Sequence, residues 1–230
     1  FFLPNEYRQQ SRIIISFERG VRILGEASVH AANVPVEADF DEIRAGLYAL
    51  IARLLSGPLD AQFVDHMCQL EGDTSALGLA LNKLAALAKS PPPDNFADEY
   101  APLFYGQGQG GEILPFASYY LTGQLYDAPL AAIRDDMLKL GIQPTGSVKE
   151  PEDHIAFLLD MMHGLITGRF AAGAVGVPDQ QGFYARHIEP WASEVFSDLK
   201  KADSADFYVA VADLGLAFME IESEAFKLAA

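Results

Sequence analysis

Glu150-Pro151-Glu152-Asp153-His154 sets three carboxylates and an imidazole within five residues. Groups of these types serve metal ligation, proton transfer or the pairing of a guanidinium. Metal ligation fails on spacing. His154 and His163 lie nine residues apart, which puts them on opposite faces of a helix. Asp160 and His163 share a face, but two ligands do not make a site. His30 and His66 have no ligand-spaced companions, and His187 has only Glu189 nearby. Nucleophilic catalysis fails too. There is no G-x-S-x-G elbow, and Cys68 and His66, two residues apart, point away from each other on a helix. No constellation singles out a reaction, so the chain reads as a binder and not as an enzyme. A proline in the first turn with acids beside it is also a strong helix-start signature, which by itself accounts for Pro151, Glu152 and Asp153.

A second stretch, Phe104 to Pro115 (FYGQGQGGEILP), carries glycines at 106, 108, 110 and 111. A phosphate-binding loop of the dinucleotide type follows a strand and opens a helix. Here the preceding DNFADEYAPLFY has Phe96, Tyr100, Leu103 and Phe104 on one helical face, with Asp94 or Asn95 as cap and Pro102 bending it. No Lys-Ser or Lys-Thr follows, and Glu112 would repel phosphate. Nucleotide binding through residues 106–111 is therefore the minor alternative. Instead, the loop separates the densest aromatic cluster in the chain: Tyr100, Phe104 and Tyr105 on one side, Pro115, Phe116, Tyr119 and Tyr120 on the other. Glycines let the backbone turn tightly between them, which suits the floor of a groove for an apolar peptide.

The elements that must position these residues are helical. Phe40, Ile43, Leu47, Leu50, Ile51, Leu54 and Leu55 step by threes and fours up to Gly57-Pro58. Leu77, Leu81, Leu84 and Leu87 repeat the pattern before Ser90 and three prolines. Leu130, Ile133, Met137 and Leu140 follow Pro129 and end at Gly141. Ile155, Leu158, Leu159, Met162, Leu165 and Ile166 form the clearest seam; Ile188, Trp191, Val195 and Leu199 the next; Phe207, Val211, Leu214, Phe218 and Ile221 the last. The only run that reads equally well as a strand is RIIISF at 12–17. The expected fold is all-α, a single-chain bundle of about nine to ten helices. Residues 1–36 are an N-terminal segment of unassigned structure. Residues 37–140 and 152–230 are two helical sub-bundles, and 141–151 is the hinge loop between them.

The chain has 230 residues and a net charge of −16. The first 36 hold four arginines and three glutamates, so the acidity lies in the remainder. That argues against a nucleic-acid backbone or an anionic membrane as partner; a basic peptide suits it better, while solubility alone also accounts for the charge. No apolar run approaches the roughly 18 residues needed to span a bilayer, and no secretory leader is visible. The chain opens on Phe1 instead of Met, so its natural start is expected to be missing or altered. A single cysteine, Cys68, rules out an internal disulfide and suits the cytoplasm.

Three stretches taken together resemble the TorD/DmsD family of redox-enzyme maturation chaperones, which is related to the NarJ group. They are EYAPLFYG at 99–106, LPFASYYLTG at 114–123 and EPEDHIAFLLDMM at 150–162, and their order and spacing match over roughly residues 40–230. The E-P-x-D-H match is the most specific. The resemblance implies a cytoplasmic, all-helical chaperone that binds the twin-arginine leader or apo form of a molybdenum- or tungsten-cofactor oxidoreductase and holds back export or assembly until the cofactor is loaded. It also implies weak guanine-nucleotide binding or transient molybdenum-cofactor contact at most, and a homodimer, domain-swapped in some members. The NarJ-like alternative is an assembly chaperone of a mature, non-exported catalytic subunit.

Carried over residue by residue, the leader-binding surface falls on Tyr100, Leu103, Phe104, Asp153 and His154, with Pro115, Ser118 and Tyr119 from the second motif and Glu150 and Pro151 from the third. Tyr100 stands where some members have Trp, and the GQGQGG run is richer in glycine than the family pattern. In physical terms, the aromatics and Leu103 would bury the apolar part of a leader. Asp153, with Glu150 and Glu152 near it, would pair with an arginine, and His154 would tune that pairing with pH.

Overall fold

In the computed structural model, the described residues are 36–90, 96–106, 110–143, 150–170 and 173–229. The RIIISF stretch, the cap candidates Asp94 and Asn95, the three prolines after Ser90, the centre of the glycine run and most of the expected hinge lie outside them. Ten α-helices and no strand occur among the described residues. They are α1 (Val36–Leu55), α2 (Ala61–Met67), α3 (Ala76–Lys89), α4 (Phe96–Tyr100), α5 (Ala117–Thr122), α6 (Ala128–Lys139), α7 (Ile155–Thr167), α8 (Val177–His187), α9 (Ala192–Leu199) and α10 (Phe207–Ala229). A single π-helical turn, Ala101–Tyr105, continues α4. None of these helices is long and apolar enough to cross a membrane.

Local chemistry sets the helix ends. The carboxylate of Asp60 accepts from the Phe63 amide at 2.9 Å, and the Ser75 hydroxyl accepts from the Gly78 amide at 3.1 Å, each satisfying one of the unpaired amides of a first turn. Asp127 does the same for Ala128, ahead of Pro129. Gly123 and Gly168 close α5 and α7 in the left-handed conformation, where a β-carbon is unfavourable.

Packing interleaves the two halves of the sequence. α1 lies chiefly against α7, and α10 against α3 and α9. One contiguous buried cluster runs from Ala45 to Phe226 and includes Leu54, Leu84, Leu159, Trp191 and Phe218. Helices from both sides of residues 141–151 share this core.

Two positions depart from the expected seams. Phe40, read as the start of the α1 stripe, is exposed. On α10 the buried positions after Phe218 are Met219 and Glu222, whereas Ile221 faces outward. Glu222 is inside because Arg44 is inside. Arg44 Nε and Nη2 donate to the two oxygens of Glu222 at 2.8 and 2.9 Å, a bidentate pair. Tyr48 donates to the same carboxylate at 2.7 Å, and Arg44 also donates to Asp41 and Gln180. Burial pulls the Arg44 guanidinium toward neutrality, but the hydrogen bond and charge of Glu222 outweigh it and hold its pKa above the ordinary value. A second polar tie joins α6 to α8. Asp136 accepts from His187 Nε2 at 2.8 Å, from Lys139 and from Arg186. Burial opposes ionisation of Asp136, yet these partners bring its pKa down to about 2.

Removing one member of a buried ion pair leaves an uncompensated charge. Glu222→Ala should therefore lower the unfolding free energy by about 3–5 kcal/mol, read from the midpoint of a urea titration. A loss below about 1 kcal/mol, the range of surface pairs, would show that the Arg44 cluster does not hold α1 to α10.

Candidate peptide-binding site

The first motif builds a bent helix. Pro102 has no amide hydrogen to continue the α ladder, and the register slips by one residue. The turn closes instead by the Gly106 amide donating to Ala101 O at 2.8 Å, a five-residue step. The slip turns Leu103 and Phe104 inward. Tyr100 stacks on Phe104 and Tyr105, with ring centroids 4.7 and 5.2 Å apart, and its hydroxyl donates to Leu55 O at 3.2 Å. Phe104 meets Tyr208 edge-on at 5.4 Å. Tyr100, Leu103 and Phe104 are all buried, while Tyr105 is partly exposed. Glu150 is exposed and near enough to Tyr105 that its charge, after burial, raises the phenol pKa.

The glycine loop folds back on this turn. Gly106 has φ +62°, and a β-carbon there would lie 1.7 Å from Gly110 O; one on Gly111 would lie 2.3 Å from Leu103 O. The amides of Glu112 and Ile113 are committed to Pro102 O and Leu103 O at 3.1 and 2.8 Å. These glycines therefore serve a close backbone crossing, and a helix, not a strand, precedes them.

Two carboxylates that the sequence reading did not select anchor this region to α10. Glu99 accepts from the amides of Asp206, Phe207 and Tyr208 at 2.8, 3.0 and 2.8 Å, capping the N-terminus of α10 from a distant segment. Glu112 accepts from the amide and hydroxyl of Ser204. Both acids sit beside apolar motif residues, but a cap on a helix 107 residues away leaves no local pattern.

The second and third motifs cross. The Ile155 amide donates to Pro115 O and the Ala117 amide to Asp153 O, both at 2.9 Å, so that Phe116 and His154 form an isolated antiparallel bridge. Asp153 Oδ2 accepts from the Ser118 amide at 2.9 Å and caps α5 from outside its own segment. Its other oxygen, Oδ1, is buried with no hydrogen-bond partner. His154 Nδ1 accepts from the Ala156 amide at 3.1 Å and caps α7. Its ring meets Phe116 edge-on at 5.0 Å. Glu152 is paired with Arg134 on α6 at 2.8 Å.

Asp153 is only 1% exposed, and His154, Ser118 and Pro115 are also buried. Among the ten expected site residues, Tyr119 and Glu150 alone are exposed and Pro151 is partly so. The structure brings the second and third motifs into direct contact. It spends the buried side chains of all three motifs on capping and packing. Among the described residues no three His, Cys, Asp or Glu side chains are grouped to hold a metal ion.

Known proteins resemble this chain in the same terms. The family model described as nitrate reductase delta subunit matches residues 70–197. The chaperone protein TorD of Vibrio atlanticus (strain LGP32) is 26% identical over 209 residues, covering 80% of this chain and 95% of that protein. TorD of Vibrio parahaemolyticus is 25% identical over 204 residues, with 80% and 94% covered, and TorD of Shewanella loihica 25% over 210 residues, with 80% and 93% covered.

Burial pushes His154 down to about 4. Its neutral form is needed in the fold, because the ring nitrogen that caps α7 must accept. A group whose folded pKa is depressed contributes stability that is complete above its unfolded value, near 6.5, and lost as pH falls toward 4. Between pH 7 and 5 this one residue should account for a loss of about 2 kcal/mol. His154→Asn keeps a capping oxygen and does not titrate. Chemical unfolding at the two pH values should show a wild-type decrease larger than that of the variant by this amount; equal decreases would place the titration elsewhere.

Proposed function

The chain belongs to the nitrate reductase delta subunit family, and from that premise we propose that it is a system-specific, cytoplasmic maturation chaperone. Its client is the catalytic subunit of a molybdenum- or tungsten-cofactor oxidoreductase. It captures the client's twin-arginine leader, its apo form or both, and supports cofactor loading before export or assembly. The observation that supports this reading is the crossing of the second and third motifs, with Tyr119 exposed on one of its segments and exposed Glu150, near Tyr105, just ahead of the other. A leader has basic residues followed by a short apolar segment, and an aromatic surface edged by a carboxylate matches that order. The net charge of −16 adds long-range attraction for a basic peptide.

On this reading the buried motif residues act from beneath. Tyr100, Leu103 and Phe104 support Tyr105, while Pro115, Ser118, Pro151, Asp153 and His154 hold the crossing. No cofactor is held tightly; a guanine nucleotide or the molybdenum cofactor is touched weakly or in passing. A homodimer, including one exchanged across residues 141–151, is compatible with this role. The name of the matching family model favours one further reading, an assembly chaperone that binds a mature subunit without a leader. A client preparation lacking its leader separates the two.

The test is calorimetric titration with the leader peptide of a molybdoenzyme from the source organism. Binding should weaken as salt rises. Glu150→Gln should reduce affinity by about three- to tenfold, the range for loss of one charge-assisted contact, with the helical signal unchanged. Normal binding by this variant would remove Glu150 from the site; absence of binding by the wild-type chain, with retention of the leaderless client, would favour the second reading.

A further inference from the structure

Tyr119, Leu121, Leu125 and Tyr126 are four of the large apolar side chains left exposed among the described residues, and they fall within eight positions of one another. Tyr126 is 72% exposed and sits at φ +61°, the only non-glycine residue with positive φ among those described. An aromatic residue rarely adopts that conformation unless its surroundings enforce it. The enforcement is visible. The Asp127 amide donates to Ser118 Oγ at 3.2 Å, and Thr122 Oγ1 donates to Ser118 O at 2.8 Å, so the turn after α5 is folded back onto the helix it leaves. Ser118 is in turn fixed by Asp153 Oδ2 on its amide. The result is a short flap, residues 117–127, that keeps its apolar side chains in water.

The flap has an acidic neighbour. Tyr120 lies against Trp191 with centroids 5.5 Å apart, and its hydroxyl donates to Asp198 Oδ2 at 3.2 Å. Glu194, one turn earlier on α9, is close enough to act on the same phenol. Neither residues 117–127 nor α9 contains a lysine or arginine; Lys201, just past α9, lies 3.9 Å from Asp198, while Glu194 stays exposed. An apolar face edged by acids is complementary to a segment that is itself apolar and basic. A second copy of this chain would bring like charge to the acids, and an anionic membrane would be repelled.

We propose that the flap 117–127 seats the apolar part of a basic–apolar client segment, through Leu121, Leu125 and Tyr126 beside Tyr119, and that Asp153 is its positioning residue. Asp153 acts by holding Ser118, and so the flap, in place; it does not itself contact an arginine, because its carboxylate is inside the crossing. This rests on the leader-binding reading above and adds the location and the indirect role of the third motif.

The probe is a synthetic peptide with two adjacent arginines followed by a twelve-residue Leu/Ala segment, its affinity measured by fluorescence anisotropy at several salt concentrations. The double variant Leu125→Ser/Tyr126→Ser should lose at least about tenfold in affinity, the scale of removing two central apolar contacts, with its far-ultraviolet dichroism unchanged. Asp153→Ala should also lose affinity. Asp153→Asn retains an acceptor for the Ser118 amide and should recover most of that loss with the salt dependence of the wild type. Wild-type binding together with undiminished binding by the double variant would overturn the flap while leaving the leader reading intact. Equal losses in the Asn and Ala variants, with a flatter salt dependence in both, would overturn the positioning role in favour of a direct ion pair. No binding by the wild-type chain would overturn the reading and the inference together. Concentration-dependent dimerisation of the wild type, abolished in the double variant without a change in probe affinity, would assign the flap to a second copy.

Discussion

Asp153 joins segments that have no other covalent or helical reason to be adjacent. Its backbone carbonyl receives the Ala117 amide and its carboxylate the Ser118 amide, while the next residue but one donates to Pro115. Backbone groups removed from water must find partners, and the ends of α5 and α7 leave several such groups facing each other. The crossing satisfies both ends at once. Without it, the six-residue α5 would be too short to persist, since helices of this length depend on tertiary contacts for stability. The placement of Tyr119 and of the turn to Tyr126 therefore follows from an aspartate in another motif.

A similar economy appears at Glu99. One carboxylate satisfies three amides at the start of the longest helix among the described residues, and it lies one residue before Tyr100, whose ring is wedged against Tyr208 on that helix. Electrostatic capping and aromatic packing thus act on the same junction. The π turn that follows makes the junction possible, because an uninterrupted α register would rotate Leu103 and Phe104 away from Tyr208. A helix irregularity of this kind is often found where function needs a local distortion. Here its cause is a single proline, and its effect is to leave Tyr105 outside while its two predecessors are inside.

The helices themselves were legible in the sequence because burial in an all-α protein leaves a periodic trace. Leu47, Leu54, Leu158, Leu165, Val211 and Phe218 all fall on the expected faces and are buried. The polar half of the interior left no such trace. Arg44 and Glu222 are 178 residues apart, and nothing in either local pattern marks them as a buried pair. Periodicity assigned the adjacent slot to Ile221 because an acid is normally placed outside. The motifs were legible as motifs, but the side-chain direction of their members was not. An acid beside an apolar run is compatible with binding an arginine or with capping a helix, and only the three-dimensional partner distinguishes the two. In Asp153 and His154 the partner is backbone.

That distinction bears on the proposed role, in which a client segment is bound and later released. Charges buried in the recognition surface would bind tightly but at a heavy desolvation cost, and would leave orphaned groups whenever the site was empty. Groups at the surface, such as Tyr119, Tyr126 and Glu150, would carry less of that cost. On the proposed reading, such contacts would attract a basic segment from a distance and release it readily. Asp153 Oδ1, buried without a hydrogen-bond partner, is the exception and carries that cost inside the crossing. The other oxygen of the same group accepts from the Ser118 amide, at the start of the flap.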